Sequence, residues 1–294
     1  MRVRRIPVLL LLSLAIPASV LCQDSGFTFF GRYSASYENL GQVHRLDPAV
    51  GYRLGSRFAV AAGIPFYFVR SSAALGSSGS ASANGIGNVY LSLRFAADTP
   101  RVNYWSVATV TAPTGDKSKG FSTGRATFDW TNTLSRNIGR LTPFLSLGVA
   151  NAISDSPFWV RPFSSLGLNA HAEGGSSLRT WGPTAIGVSA YAVLPTGSQT
   201  VYSKIVPRGS GLGLGGQGAG KGAATRKPVF ETTSVMVGGP QIARDRGYSA
   251  WFGVSPGRYL SFVVLYTHST LYSLDGVSTG IGVNLGLLTG INRL

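Results

Sequence analysis

The hydrophobic pattern of this chain has a period of two. Between Val277 and Leu287, the positions Val277, Thr279, Ile281, Val283, Leu285 and Leu287 are mostly apolar, and Ser278, Gly280, Gly282, Asn284 and Gly286 alternate with them. Such alternation describes a strand with one apolar face. Val89, Leu91, Leu93 and Phe95 likewise oppose Tyr90, Ser92 and Arg94. Ala126, Phe128, Trp130 and Leu134 oppose Arg125, Thr127, Asp129, Thr131 and Thr133, and Leu166, Leu168, Ala170 and Ala172 oppose Ser165, Gly167, Asn169, His171 and Glu173.

Twelve such segments are expected, centred near Tyr33, Val50, Ile64, Leu91, Ala108, Asp129, Leu147, Leu168, Val188, Trp251, Val264 and Val283. Clusters of Gly, Ser, Pro and Asn divide them and read as turns. A soluble sandwich would bury the apolar face against a second sheet, and a membrane barrel would press it on lipid. The strand charges Arg32, Glu38, Arg45, Asp47, Arg53, Arg94, Arg125, Asp129 and Glu173 all read on the polar phase. A basic residue at the bilayer midplane costs about 2–4 kcal/mol, so a barrel requires that phase.

Loop lengths decide between the two folds. One end has short connections, 55–57, 97–103, 137–140, 174–180 and 255–257. The other has longer ones, 70–84, 114–123, 153–162 and 195–246, with 38–43 and 269–275 as shorter exceptions. Outer-membrane barrels show this asymmetry, with short periplasmic turns and longer extracellular loops. The fold expected is therefore all-β: a transmembrane antiparallel up-and-down β-barrel of about twelve strands. Pro48 and Pro65 fit poorly inside a closed sheet and are expected toward the outer rim, where a bulge tolerates them. Trp105, Trp130, Trp181 and Trp251 are open to two readings, an interfacial girdle or ordinary packing.

The N-terminus fits export. Arg2, Arg4 and Arg5 precede an apolar run from Val8 to Leu21, the design of a secretory signal peptide and too short for a spanning helix. Residues 1–22 are read as signal peptide and 23–294 as the barrel domain, with 195–246 a long basic, glycine-rich extracellular loop. Cys22 is the one cysteine, and Leu21 before it is larger than a lipidation motif prefers. Cleavage beside it would leave no disulfide chemistry.

A net charge of +15 ordinarily suggests nucleic acid, but an exported chain points instead to anionic headgroups and phosphorylated surface sugars. No nucleic-acid partner is expected. Outer-membrane lipid and lipopolysaccharide are, through Lys204, Arg208, Lys221, Arg226 and Lys227 of the long loop, which is expected to lie over the mouth. Val229–Val237 has enough β-formers to extend a hairpin there.

Three stretches resemble the outer-membrane barrels of the meta-pathway phenol-degradation family: Thr111-Ala-Pro-Thr-Gly-Asp-Lys-Ser-Lys-Gly-Phe-Ser-Thr-Gly124, Leu141-Thr-Pro-Phe-Leu-Ser-Leu-Gly148, and Arg244-Asp-Arg-Gly-Tyr248 leading into Val254-Ser-Pro256. The resemblance implies a barrel that passes small hydrophobic or aromatic molecules. The last strand also looks like a signal to the barrel-assembly machinery, although the chain ends in Leu294 where many such chains end in an aromatic residue.

Little else suggests chemistry. Gly211–Gly216 fits G-x-G-x-x-G and Gly215–Gly222 approaches a P-loop, but neither follows a strand and opens a helix, so a glycine-rich outer loop accounts for both. His44, His171 and His268 are the available imidazole bases. His268 beside Ser269 faintly resembles an outer-membrane phospholipase arrangement, but adjacent strand residues point to opposite faces. No enzyme, cofactor or metal site is expected. The residues expected to line the lumen are Arg32, Glu38, Arg45, Asp47, Arg53, Arg94, Arg125, Asp129, Asn169, His171 and Glu173. Their arginines and carboxylates are expected to pair across a narrow, partly obstructed pore. The function expected is a passive channel for small solutes; the alternatives are a non-conducting surface-interaction barrel and an esterase or phospholipase.

Overall fold

The computed structural model describes residues 25–38, 41–71, 82–153, 160–206, 229–257 and 260–284. The strands are β1 Gly26–Glu38, β2 Gly41–Leu54, β3 Phe58–Gly63, β4 Phe66–Ser71, β5 Ser82–Ile86, β6 Tyr90–Asp98, β7 Asn103–Thr111 and β8 Thr127–Ser135. They continue with β9 Leu141–Ile153, β10 Phe163–Arg179, β11 Thr184–Pro195, β12 Gln199–Ser203, β13 Val235–Gly238, β14 Asp245–Val254, β15 Leu260–Ser269 and β16 Leu274–Asn284. One helical turn, α1, covers Val229–Thr232.

These segments form twelve antiparallel spans. β3 with β4 makes the third span and β5 with β6 the fourth, while β12 and β13 pair as a hairpin continuing outward from β11 and β14. Each span pairs with its neighbours, and β1 pairs with both β2 and β16, so the sheet closes. Closure through β1 and β16 pairs the membrane-crossing strands all the way round, the condition for a sheet to cross a bilayer, while β5 pairs with β4 alone among the described strands.

The outer surface is apolar. Val50, Leu91, Leu93, Val110, Phe128, Leu145, Leu147, Val188 and Phe252 stand exposed on it. Such a surface far exceeds the few hundred Å² of contiguous apolar area that a soluble monomer tolerates. In β16 the odd face, with Val277, points out, and the even face, with Ser278 and Asn284, points in.

Connections at one end are short, 55–57, 99–102, 136–140 and 180–183, and those at the other are longer, such as 112–126 and 196–234. The former is called the inner end. One expected turn is moved: Gly174 and Gly175 do not end β10 but pair with Leu145 and Phe144 on one side and Ala190 and Ser189 on the other. Ladder bonds on both flanks hold glycines that would leave a lone strand.

Pro48 and Pro65 lie together at a break in the wall, not at the outer rim. β2 pairs with β4 through Gly41–Leu46 and with β3 through Ala49–Leu54, so Pro48 occupies the changeover. Ile64 N donates to Pro48 O at 3.3 Å, and Gly87 N donates to Pro65 O at 2.7 Å, which restores contact where proline cannot donate.

Candidate functional site

The outer end of the lumen is filled by the chain itself. Residues 160–163, 203–206 and α1 fold inward and build two apolar clusters against the wall. In one, Phe163, Phe230, Val201 and Ala243 pack with the wall residues Ile153, Val193 and Leu274. Phe163 and Phe230 stack at 4.9 Å between centroids, with Tyr272 edge-on to both. In the other, Val160, Ile205 and Phe121 meet Val43, Tyr67 and Val69. Tyr67 and Phe121 stack at 5.0 Å.

A buried polar network anchors this plug. Arg161 Nε donates to Asp245 Oδ2 at 3.4 Å, and both side chains are almost wholly buried. Ser269 Oγ donates to Asp245 Oδ1 at 2.7 Å, and Tyr191 OH donates to Oδ2 at 3.4 Å. The carboxylate thus joins an inward-folded loop to β11, β14 and β15. Burial, and then the negative charge of Asp245, raises the Tyr272 hydroxyl above its ordinary range; that hydroxyl donates to Ile242 O at 3.3 Å.

Below the plug, a cavity of about 580 Å³ runs toward the inner strand ends. Five arginines, Arg32, Arg45, Arg53, Arg94 and Arg161, and three acids, Asp47, Asp129 and Glu173, line it. Among the described residues, the pairs Arg32–Asp47, Arg45–Asp47 and His171–Asp129 run along the wall. Asp47 lies opposite Arg32 in the β1–β2 register and binds it at 3.2 Å. It also accepts from Arg45 at 2.7 Å, two residues along the same face of β2, and from Tyr90 OH at 3.1 Å.

On another part of the wall, His171 of β10 reaches over β9 to Asp129 of β8, with Nε2 at 3.3 Å from Oδ2. Gly148 makes this possible, since any β-carbon there would collide with the imidazole ring. Thr131 Oγ1 donates to Asp129 Oδ1 at 2.7 Å, and Ser189 Oγ donates to Glu173 at 2.6 Å. A third part is apolar: Trp251, Val263 and Leu265 pack together on the inner face of β14 and β15.

Of the residues expected at the lumen, Arg32, Arg45, Asp47, Arg53, Arg94, Asp129, Asn169, His171 and Glu173 line the cavity. Glu38 ends β1 at the outer rim beside Glu231 of α1, away from the other acids. Arg125 falls in the connection ahead of β8 and is exposed, because that strand begins at Thr127.

Lys204 is also placed otherwise than expected. It is buried in the plug, donating from Nζ to Arg161 O at 2.9 Å and lying 5.0 Å from the Tyr67 ring centroid, and so cannot reach surface lipid. Arg208, Lys221, Arg226 and Lys227, the glycine motifs, the signal peptide and the C-terminal assembly signal lie outside the described residues. The Val229–Val237 hairpin is partly realised. β13 pairs with β12, but Val229–Thr232 turns helical and drives Phe230 inward.

The outward phase is not free of charge. Asp275, Arg70 and Arg246 stand exposed on the outside near the outer rim. His268 binds Asp275 at 2.8 Å on the outer face, whereas Ser269 points inward to Asp245, so the two neighbours form no dyad. The tryptophans divide: Trp105 and Trp251 line the cavity, and Trp130 and Trp181 are exposed.

No family model matches the chain, and no curated protein sequence matches it. Solved structures do. The outer membrane channel from Pseudomonas putida F1 superposes with a TM-score of 0.55 at 11% identity, over 92% of this chain and 99% of that one. The fold is that of an outer-membrane β-barrel. The β domain of the Bordetella autotransporter BrkA matches more loosely, with a TM-score of 0.41 at 9% identity over 89% of this chain and all of that one.

Proposed function

We propose that this protein spans the outer membrane and admits small molecules to a narrow lumen that its own outer loops obstruct. The observation that carries this reading is the cavity of about 580 Å³, polar along one wall and apolar along another, beneath a folded-in plug. Its apolar part, with Trp105 and Trp251, supports a hydrophobic or aromatic solute, as does the sequence resemblance to the phenol-degradation barrels. Twelve strands lie between the size that side chains fill and the size that leaves a wide aqueous channel.

The exposed Arg70, Arg244 and Arg246 near the outer rim favour contact with anionic surface lipid. The closed antiparallel barrel favours insertion by the barrel-assembly machinery. We read the protein as non-enzymatic. A second reading, a surface barrel that conducts nothing, draws on the close packing of Phe163, Phe230 and Ile205 in the plug.

Proteoliposome swelling with a graded panel of small solutes tests the channel. Size-limited entry is expected. Complete exclusion of every solute, with the barrel folded, would favour the non-conducting reading, and a wide porin-like conductance would refute the obstructed lumen.

A further inference from the structure

The inner part of the cavity carries two arginines in one register row. Arg53 of β2 pairs with Ala59 of β3, and Ala59 pairs with Arg94 of β6. All three line the cavity. The arginines stand two strands apart, roughly 10 Å between backbones at the usual strand spacing. The small side chain of Ala59 lies between them. Two long arginine side chains can converge over that gap, and the positive field of each acts on the other.

Among the described residues, the acids of the cavity wall bind groups other than Arg94: Asp47 binds Arg32 and Arg45, Asp129 binds His171, and Glu173 accepts from Ser189. Asp98, at the exposed end of β6, offsets part of the field at Arg94. The Nε of Arg94 is nonetheless shielded from solvent with no hydrogen-bond partner. A donor in that state is costly to leave unmet, and a guanidinium presents paired donors that match a carboxylate.

The surface beside it is apolar. Arg94 pairs with Val107 of β7, and Trp105 follows on the same inward face, both in the cavity wall. Ala61, next along the inner face of β3, adds little bulk, so the space above Ala59 stays open.

We propose that this place binds a small organic carboxylate with an apolar body, its carboxylate held between Arg53 and Arg94 and its body lying against Trp105 and Val107. A neutral molecule of the same shape would keep the apolar contact and lose the charge-assisted hydrogen bonds. The cavity's volume is within the range of sites for small ligands. The proposal rests on the channel reading for the entry of this solute, but its binding can be measured without transport.

The probes are benzoate and the neutral, similarly shaped benzyl alcohol. Equilibrium binding is measured on purified protein in detergent, followed by proteoliposome uptake, for wild type, Arg94→Gln, Arg94→Lys and Arg53→Gln. Heat-dependent gel migration first shows that each variant is folded. Wild type is expected to bind benzoate at least tenfold more tightly than benzyl alcohol. Arg94→Gln should lower benzoate affinity about tenfold or more, Arg53→Gln should lower it in the same sense, Arg94→Lys should restore part of it, and benzyl alcohol should change less than twofold.

Benzoate binding that is no tighter than benzyl alcohol binding, or that survives both glutamine variants, would overturn the proposal, even if the channel admits either solute. Arginine-dependent benzoate binding without uptake of either probe would support the site and count against the channel.

Discussion

Replacing Leu147 by arginine tests what covers the outside of the wall. Leu147 is the central residue of the thirteen in β9, faces outward and is 52% exposed. Its neighbour Ser146 faces the cavity, opposite Glu173 on β10, and its hydroxyl is 2.7 Å from that of Thr133. If hydrocarbon covers the outer face, Leu147→Arg places a guanidinium near the bilayer midplane at a cost of about 2–4 kcal/mol. Loss of the leucine's apolar contact adds about 1–2 kcal/mol. Ser146→Arg forfeits one hydrogen bond, about 1 kcal/mol, and places the new charge beside Glu173 in a wet lumen. The two variants should therefore differ by at least about 2 kcal/mol, with the outward one weaker. Urea titration of folding into lipid vesicles, read by heat-dependent gel migration, measures both. Equal destabilisation, or a weaker inward variant, would refute the assignment of faces and the lipid-covered wall with it.

The plug and the charged wall give further expectations. Asp245→Asn should cost up to about 3–5 kcal/mol by removing the carboxylate that faces the buried Arg161, and should speed solute entry while the barrel keeps its heat-dependent migration; unchanged swelling would detach this pair from the obstruction. Phe230→Ala removes the centre of the aromatic stack and should cost the plug about 3–5 kcal/mol, seen as faster proteolytic cutting at the outer end. Gly148→Ala forces a β-carbon against His171 and the Trp130 carbonyl and should cost about 1–3 kcal/mol; Gly148→Ala with His171→Ala should recover the imidazole's share of that but not the carbonyl's, and additivity of the two costs in urea titration would count against the contact.

The barrel was legible because lipid imposes a strict period of two: each of the twelve expected segment centres falls in a span or at its break. Asp47, His171 and their neighbours could be assigned to the lumen because a charge on the other phase is costly. The plug was hidden because it replaces water inside the barrel with side chains, and so reverses the usual polarity of the inner phase. Phe66-Tyr67-Phe68-Val69 is apolar on both phases, and Tyr67 and Val69 are buried against Phe121 and Ile205. A strand apolar on both sides in a wall that otherwise alternates was the signal for an internal core. Asp245 appeared in the motif Arg244-Asp-Arg-Gly-Tyr248, but only the fold brings Arg161, Tyr191 and Ser269 to it. Long-range neighbours of this kind leave no local period to read.

The seam between β1 and β16 joins the two ends of the folded chain: Ser278 Oγ donates to Ser34 Oγ at 2.8 Å across 244 residues of sequence. No shorter ribosomal product can complete this cylinder, because its first strand must await its last. Search entropy for such a distant partner is paid before any bond there forms. Until β16 has been made, β1 lacks its neighbour on that side and the ribbon keeps an open border there.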